Sequence, residues 1–192
     1  LSQKVLKTFF LPLQNWLIRR AGTIIGTTPV YIEKSPDLAA AGDKRDAIPI
    51  GIDPLPAVPK EDVDRFRAGY PGKKMVVSVG RLVSYKGFRH LIDAAQYLRD
   101  DCMILIGGDG PLKKELQSRI DSKNLKNKVR LLGYLSKETL PLLFAASDVF
   151  VLSSAMKTEA FGIVQIEAMS AGKPVVATKI PESGVSWVNA DG

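Results

Sequence analysis

Apolar residues in the first part of the chain follow a helical spacing and are then interrupted by turn-forming residues. Between residues 4 and 20 they recur at a helical spacing, which predicts an amphipathic helix disturbed at Pro12. The apolar face of this helix consists of Val5, Leu6, Phe9, Phe10, Leu13, Trp16 and Leu17. A short apolar run predicts a strand over Thr23–Thr27, and prolines and glycines then crowd residues 49–59 as they do in linkers. The helix fits either packing against a sheet or lying on a membrane surface, and the strand after it favours the sheet.

After Gly72 short β-branched runs alternate regularly with longer helical patterns. Strand, helix, strand at this spacing implies right-handed crossovers, so the chain is predicted to be an α/β protein with a doubly wound parallel sheet. Ligands in such sheets lie beyond the carboxyl ends of the strands. The predicted strands are Met75–Val79, Cys102–Ile106, Val129–Leu132, Val149–Leu152 and Val175–Thr178, with helices near residues 88–98, 111–122, 137–146 and 162–171.

Composition limits the class of protein without naming a function. The 192 residues are 45% hydrophobic and 24% charged, as in ordinary globular proteins and unlike disordered or collagen-like chains. No apolar run is long enough to cross a membrane, and the opening stretch lacks the pattern of a signal peptide. The single cysteine, Cys102, fits a reducing setting. We therefore expect a cytoplasmic protein, with association at the inner face of the membrane as an alternative.

The net charge of +7 suits an anionic partner. Nucleic acid, anionic lipid headgroups and phosphorylated small molecules all meet that condition, as does a basic surface with no specific partner. Aromatic residues are only 7% of the chain and do not interleave with a basic stripe, which argues against nucleic acid. The positions of the charges must therefore distinguish the remaining partners.

The loop after the first strand of the alternating region carries two cations. Arg81 and Lys86 lie five residues apart in the segment from Gly80 to Gly87, just before a predicted helix. An arginine fork and a lysine charge beside a helix N-terminus can bind a diphosphate, although a solvated basic loop has the same composition. The solvated loop is the favoured interpretation of such a pair alone, and the position of this loop after a strand narrows that preference.

Two further strand-end loops are less specific. The segment Gly107-Gly108-Asp109-Gly110-Pro111 lets backbone approach a ligand closely, but it lacks the third glycine of a dinucleotide fingerprint and the lysine of a P-loop. In Gly133-Tyr134-Leu135-Ser136, Tyr134 or its backbone could lie near a flat base, with Ser136 as a helix N-cap. An ordinary turn explains the first loop about as well, and it is the favoured interpretation of the second loop taken alone.

The fourth region places two carboxylates around a helix N-terminus. Gly172 and Pro174 mark a helix end, so the helix begins near Gly162, with Glu159 just before it and Glu167 inside it. Phosphate suits the free N–H groups of the first turn, whereas carboxylates would repel it and instead accept hydrogen bonds from neutral hydroxyls. A ligand that has hydroxyl groups at both ends and phosphates between them is a nucleotide sugar. The alternative is a pair of ordinary glutamates, one near the helix dipole and one solvated.

Taken in order, these segments resemble a known family. They are the Val79–Gly87 loop, the Gly107–Leu112 loop, Leu132-Gly133-Tyr134, the stretch from Ala146 to Ser154, and Glu159 followed eight residues later by Glu167-Ala168-Met169. Together they resemble the group 1, or family 4, retaining glycosyltransferases of GT-B architecture over essentially all of residues 73–192.

The resemblance implies an organisation and a set of roles. Residues 1–50 would be the tail of the acceptor-side domain, 51–72 an interdomain linker, and 73–192 a nucleotide-sugar-binding domain without its C-terminal end. By resemblance, Arg81 and Lys86 bind the donor diphosphate. Glu159 would bind hydroxyl groups of the donor sugar, and Glu167 would bind the ribose. Further donor contacts are expected from Gly80, Gly108, Tyr134, Leu135, Phe161, Gly162 and Ile163.

The same resemblance implies a retaining sugar transfer that needs no metal or other cofactor. The run from Ile180 to Val188 departs from the Gly-Gly-Pro-Glu pattern of many members and resembles a branch with mannosyl- and rhamnosyltransferases of polysaccharide assembly. We therefore expect a donor like GDP-mannose and a polysaccharide or lipid-linked acceptor, bound mainly by the missing domain, so that this piece alone is inactive. The alternatives are an epimerase of GT-B fold and a non-catalytic basic module that binds nucleic acid or an anionic membrane.

Three other signals carry little functional weight. Asp62-Val63-Asp64 matches a metal-binding pattern, but one such pair supplies too few oxygen ligands and suits the first turn of a short helix. His90 has no nucleophile or carboxylate predicted around it and is interpreted as a surface residue. Cys102 begins a strand and is interpreted as a small buried hydrophobic residue.

Overall fold

The computed structural model describes residues 3–190, with side chains from residue 10 onward, and within that range it contains two parallel sheets. The strands are β1 (Ile24–Gly26), β2 (Arg45–Ala47), β3 (Lys74–Val79), β4 (Cys102–Gly107), β5 (Val129–Gly133), β6 (Val149–Leu152) and β7 (Val175–Ala177). The helices are α1 (Gln3–Arg20), α2 (Pro29–Lys34), α3 (Lys60–Ala68), α4 (Phe88–Ala94), α5 (Lys113–Ser122), α6 (Thr139–Ala146), α7 (Ile163–Ser170) and α8 (Val185–Val188).

The main sheet has five parallel strands in the order β5-β4-β3-β6-β7. From β3 the chain moves outward through β4 and β5, then returns to the other side of β3 to form β6 and β7. This reversal leaves a crevice at the carboxyl ends of β3 and β6, which is where open α/β sheets bind ligands. The α/β class and the doubly wound parallel sheet predicted from the sequence are confirmed.

Two hydrophobic clusters cover the two faces of this sheet. Because side chains alternate along a strand, Met103 and Leu105 of β4 join one cluster, while Ile104 and Ile106 join the other. The first cluster includes α6 and α7 residues, and the second is formed largely by α4 and α5. Burial on both faces explains why these strands are almost continuously apolar.

The boundaries of the predicted elements shift by a few residues. The helix predicted over 88–98 is helical only to Ala94 and continues as a 3-10 turn over Ala95–Tyr97. The helix predicted over 137–146 begins at Thr139, whose backbone N–H donates to the Ser136 hydroxyl at 3.3 Å. These differences lie at helix ends, where side-chain caps and tight turns decide the boundary.

Part of the segment predicted as a linker is helical. Helix α3 contributes Val63 and Phe66 to the first hydrophobic cluster, and Tyr70 packs there after the helix ends. Arg67 of the same helix donates a 2.5 Å hydrogen bond to the Ala146 carbonyl. Apolar residues at these spacings give α3 a buried side, so it packs on the main sheet instead of bridging freely between units.

The N-terminal unit consists of α1, the β1–β2 pair and α2. Helix α1 continues through Pro12 and buries Ile18, whereas Phe10, Leu13, Trp16 and Leu17 are each about half exposed. The other members of the predicted apolar face, Val5, Leu6 and Phe9, lie outside the described side chains. The expected packing of this face against a sheet is therefore not seen for the four side chains described. Among residues 3–190 no helix is both long and apolar enough to span a bilayer.

Candidate functional site

A cavity of about 440 Å³ opens at the switch point of the sheet. The loop after β3 forms one wall, and the loop after β6 together with the start of α7 forms the other. Several residues singled out from the sequence share it. The lining includes Gly80, Lys86, Glu159, Phe161, Gly162, Ile163 and Glu167.

Lys86 and Glu159 form an ion pair within this cavity. The Lys86 Nζ lies 2.5 Å from the Glu159 Oε2, and the two side chains are only 13% and 10% exposed. The same oxygen accepts a 2.7 Å hydrogen bond from the Ser154 hydroxyl. Two residues 73 positions apart therefore meet because parallel strands β3 and β6 are neighbours in the sheet.

The two loops that carry this pair are fastened to each other by backbone contacts. The Ala155 N–H donates to the Tyr85 carbonyl at 2.8 Å, and the Ser153 hydroxyl donates to the Lys86 carbonyl at 2.9 Å. Gly87 has a φ of +68°, and a Cβ built on it would lie 1.9 Å from the Ser153 carbonyl oxygen. Only glycine permits this approach, so the loops hold Lys86 against Glu159 at close range.

The start of α7 supplies backbone donors to the same cavity. The helix begins at Ile163 and has no side chain capping its first turn. The first N–H groups of a helix have no partner within the helix, and the helix dipole gives them partial positive charge. With Lys86 nearby, this end of the cavity suits an anion such as phosphate.

Glu167 faces the cavity from within α7. Burial raises the pKa of this carboxyl above its ordinary value of 4.5. A raised pKa means that the half-buried carboxylate lacks the donors it would have in water. Ligand hydroxyl groups could supply such donors.

The raised pKa of Glu167 predicts how this group contributes to the free energy of unfolding at different pH values. The folded state binds this proton more tightly than the unfolded state, so the contribution of the group to stability is full below pH 4.5 and declines as the pH rises through the raised pKa. We expect Glu167→Gln to increase the free energy of unfolding at pH 7 by a few tenths of a kcal/mol, the scale of a substitution at a partly exposed site. Urea denaturation of both proteins from pH 4 to 7 checks this.

The matched control is Glu115→Gln. Arg89 lowers the pKa of Glu115, so that carboxylate contributes stability at pH values above its ordinary pKa, and its loss acts in the opposite direction. A Glu167→Gln protein that is less stable than the parent at pH 7 would contradict the interpretation of Glu167.

The residues expected on the other side of the crevice do not line the cavity. Arg81 is exposed, and Tyr134 is 78% exposed. Gly108 borders the crevice, because a Cβ built there would lie 1.9 Å from the Gly80 carbonyl oxygen, and Leu135 packs on Gly107. The structure thus brings Lys86, Glu159 and Glu167 together but leaves Arg81 outside their shared cavity.

Sequence reasoning missed the polar residues that support Glu159. The hydroxyl of Ser154 reaches its carboxylate, and that of Ser183 donates to its backbone carbonyl. Both serines are buried. Ser154 follows β6 and Ser183 follows β7. Since neighbouring parallel strands bring the loops at their carboxyl ends together, these positions could have indicated that both serines lie near Glu159.

The residues with little predicted weight take no part in this cavity. Asp62 pairs with Arg65 and Asp64 with Lys60, both on the exposed surface of α3. Within the described part of the chain, no three potential metal ligands cluster together. His90 is exposed, and Cys102 is a partly buried free thiol.

The chain matches known proteins over most of its length. The family model described as "Glycosyl transferases group 1" matches residues 60–192. The chain is 31% identical to D-rhamnosyltransferase WbpZ of Pseudomonas aeruginosa, covering 100% of this chain and 50% of that protein. It is 30% identical to O-antigen chain mannosyltransferase C of Escherichia coli, covering 99% and 50% respectively. The chain therefore spans about half the length of these curated relatives.

A solved structure shows the same fold. The crystal structure of Anabaena Alr3699/HepE in complex with UDP and glucose has a TM-score of 0.79 and 29% identity, covering 97% of this chain and 52% of that one. A second structure of that protein, in complex with UDP-glucose, gives the same values. The fold of this chain thus occurs in a protein whose solved structures contain UDP and glucose or UDP-glucose.

Proposed function

The chain belongs to the group 1 glycosyltransferases, and from this premise we propose that it binds the donor for a retaining transfer of sugar from a nucleotide-diphosphate sugar. The observation that carries the proposal is the cavity shared by Lys86, Glu159, Glu167 and the N-terminus of α7. It combines positive charge for a diphosphate with carboxylates for hydroxyl groups on either side.

The proposed mechanism rests on where charge develops. As the bond between sugar and diphosphate breaks, negative charge accumulates on the leaving phosphate. A fixed ammonium group and helix N–H groups stabilise that charge more strongly in the transition state than in the bound substrate. In this proposal the chain's own cations and amides serve that purpose and no metal is required, with Arg81 moving toward the diphosphate from the rim.

The two glutamates have separate roles in this proposal. Glu159 accepts a hydrogen bond from a hydroxyl of the transferred sugar, and Glu167 accepts hydrogen bonds from the ribose. The side of the crevice near Gly108 and Leu135 would then receive the base, with the exposed Tyr134 ring available to stack on it. This order follows the chemical order of a nucleotide sugar, in which the diphosphate lies between two hydroxyl-bearing rings.

The names of the relatives favour a mannose-type donor and a glycan acceptor. One relative is named a rhamnosyltransferase and another a mannosyltransferase of the O-antigen chain. We therefore propose a mannose-type donor sugar and a polysaccharide or lipid-linked acceptor that is held mainly by other parts of the protein. The proposal that the donor is like GDP-mannose rests on the resemblance of residues 180–188, whereas the solved structures named above hold UDP. A cytoplasmic site of action, in line with the single cysteine, completes the proposal.

A thermal-shift panel on the natural full-length protein tests donor binding. We expect one nucleotide sugar among GDP-mannose, UDP-glucose and ADP-glucose to raise Tm by roughly 5 °C at about 100 times its Kd, because a ligand of the folded state stabilises it by mass action. Inorganic pyrophosphate and free mannose are the controls for charge alone and for sugar alone.

If no nucleotide sugar exceeds the effect of pyrophosphate, the proposal is wrong. A shift with UDP-glucose but none with GDP-mannose would keep the donor class and overturn the GDP assignment. Proton NMR of the first product then shows whether the anomeric configuration of the transferred sugar is retained.

A further inference from the structure

Two adjacent buried serines follow β6, and each hydrogen-bonds one member of the ion pair. The Ser153 hydroxyl donates to the Lys86 carbonyl at 2.9 Å. The Ser154 hydroxyl donates to the Glu159 Oε2 at 2.7 Å, and Ser154 is fully buried. Both members of the pair are thus attached to the end of the same strand.

The bonds to Glu159 distinguish its two carboxylate oxygens. Oε2 accepts from both the Lys86 ammonium and the Ser154 hydroxyl, while Oε1 accepts no hydrogen bond from the described residues. The backbone of Glu159 is held as well, because its N–H donates to the Met156 carbonyl at 2.9 Å and its own carbonyl accepts from the Ser183 hydroxyl. With the backbone and one oxygen fixed, the direction of the other oxygen is fixed too.

A buried serine at the other end of β6 shows that a purely structural role looks different. Ser147 lies just before β6, at the opposite end, and its hydroxyl donates to the Phe144 carbonyl at 2.8 Å, three residues earlier in the chain. That bond closes a helix end. Ser154 instead donates to a carboxylate in the cavity, and such charge-assisted bonds are stronger and more directional than neutral ones.

We propose that Ser154 is a positioning residue that holds Glu159 with Oε2 on Lys86 and Oε1 directed at a hydroxyl of the donor sugar. The inference rests on the proposed function, because it gives the free oxygen a sugar hydroxyl as its partner. Without the serine hydroxyl, the carboxylate can rotate and share both oxygens with Lys86. Recognition of the sugar then weakens, whereas the diphosphate keeps its cation and helix N-terminus.

The test compares Ser154→Ala with the parent in the natural full-length protein. We expect the affinity for the nucleotide sugar that gives the largest thermal shift to fall about tenfold, the effect of losing one charge-assisted hydrogen bond. The affinity for the corresponding nucleoside diphosphate should stay within about twofold, because that ligand lacks the sugar. Isothermal titration of both ligands measures this ratio, and Ser154→Cys, which keeps a weak donor in a similar volume, should recover part of the loss.

Ser147→Ala is the matched control. It also removes a buried hydroxyl next to β6, so a general loss of stability would affect both variants alike. We expect it to change neither affinity. Equal losses for the two ligands in Ser154→Ala, or no loss for either, would overturn the positioning role.

A crystal structure of Ser154→Ala without ligand separates this inference from the proposed function. We expect the Glu159 carboxylate to rotate by about 30° or more, toward another rotamer. A carboxylate in its original place overturns the positioning role whatever the protein binds. If the parent binds no nucleotide, the proposed donor site is wrong, and this crystal structure still decides whether Ser154 positions Glu159.

Discussion

Replacing Lys86 by alanine in the natural full-length protein is expected to lower kcat by about 100-fold or more. Its ammonium is the only cationic group among the residues that line the cavity, and removing one fixed charge-stabilising group from an active site typically costs 10²–10³ in rate. The substitution also leaves the nearly buried carboxylate of Glu159 without its ionic partner. Steady-state transfer from the donor identified by thermal shift measures the effect.

Lys173→Ala is the matched control for this substitution. Lys173 is a partly buried lysine at the end of the sheet where β6 and β7 begin, away from the cavity. Its Nζ donates to the carbonyls of Ala145 and Ser147 at 2.8 and 2.9 Å. Its removal costs hydrogen bonds but touches no residue of the cavity, so turnover should stay close to that of the parent. A Lys86→Ala protein with a kcat within threefold of the parent would show that the ion pair serves the fold and not the reaction.

The main sheet could be predicted because its residues repeat a simple pattern. Strands such as β4 are apolar at every position, since both faces of a parallel sheet are covered, and the helices between them show a different period. The acidic residues at 62 and 64 predict the short helix α3 but not its packing on the main sheet, because the turn-forming residues before it mask its short apolar stripe. The exposed side of α1 could not be predicted, because periodicity identifies an apolar face but not what covers it.

The sequence predicts which strand ends carry the site residues, but not how their side chains contact one another. Lys86 and Glu159 each follow a strand, and the switch between β3 and β6 brings those two ends together. That they bond directly, and that Arg81 lies outside their cavity, depends on side-chain directions within irregular loops. The contribution of Ser154 depends on the same loop geometry, which no local sequence pattern specifies.

The same loop geometry predicts that Gly87→Ala is strongly destabilising. A left-handed backbone costs a residue with a Cβ about 1–2 kcal/mol relative to glycine. At Gly87 the added Cβ would also lie 1.9 Å from the Ser153 carbonyl oxygen, so the backbone on one side must move. We expect the free energy of unfolding to fall by at least about 3 kcal/mol, within the range of severe steric substitutions. Urea denaturation followed by circular dichroism measures it.

Gly172→Ala isolates the steric part of this effect. Gly172 has a φ of +69°, almost equal to the +68° of Gly87, but apart from its two chain neighbours no described residue has an atom within 4 Å of the position its Cβ would take. Its substitution should therefore cost only the backbone strain of about 1–2 kcal/mol. The difference between the two variants measures how tightly the β3–α4 loop is pressed against the end of β6. Equal losses would mean that the two loops can separate freely, and the close approach of Lys86 to Glu159 would then not be enforced by the backbone.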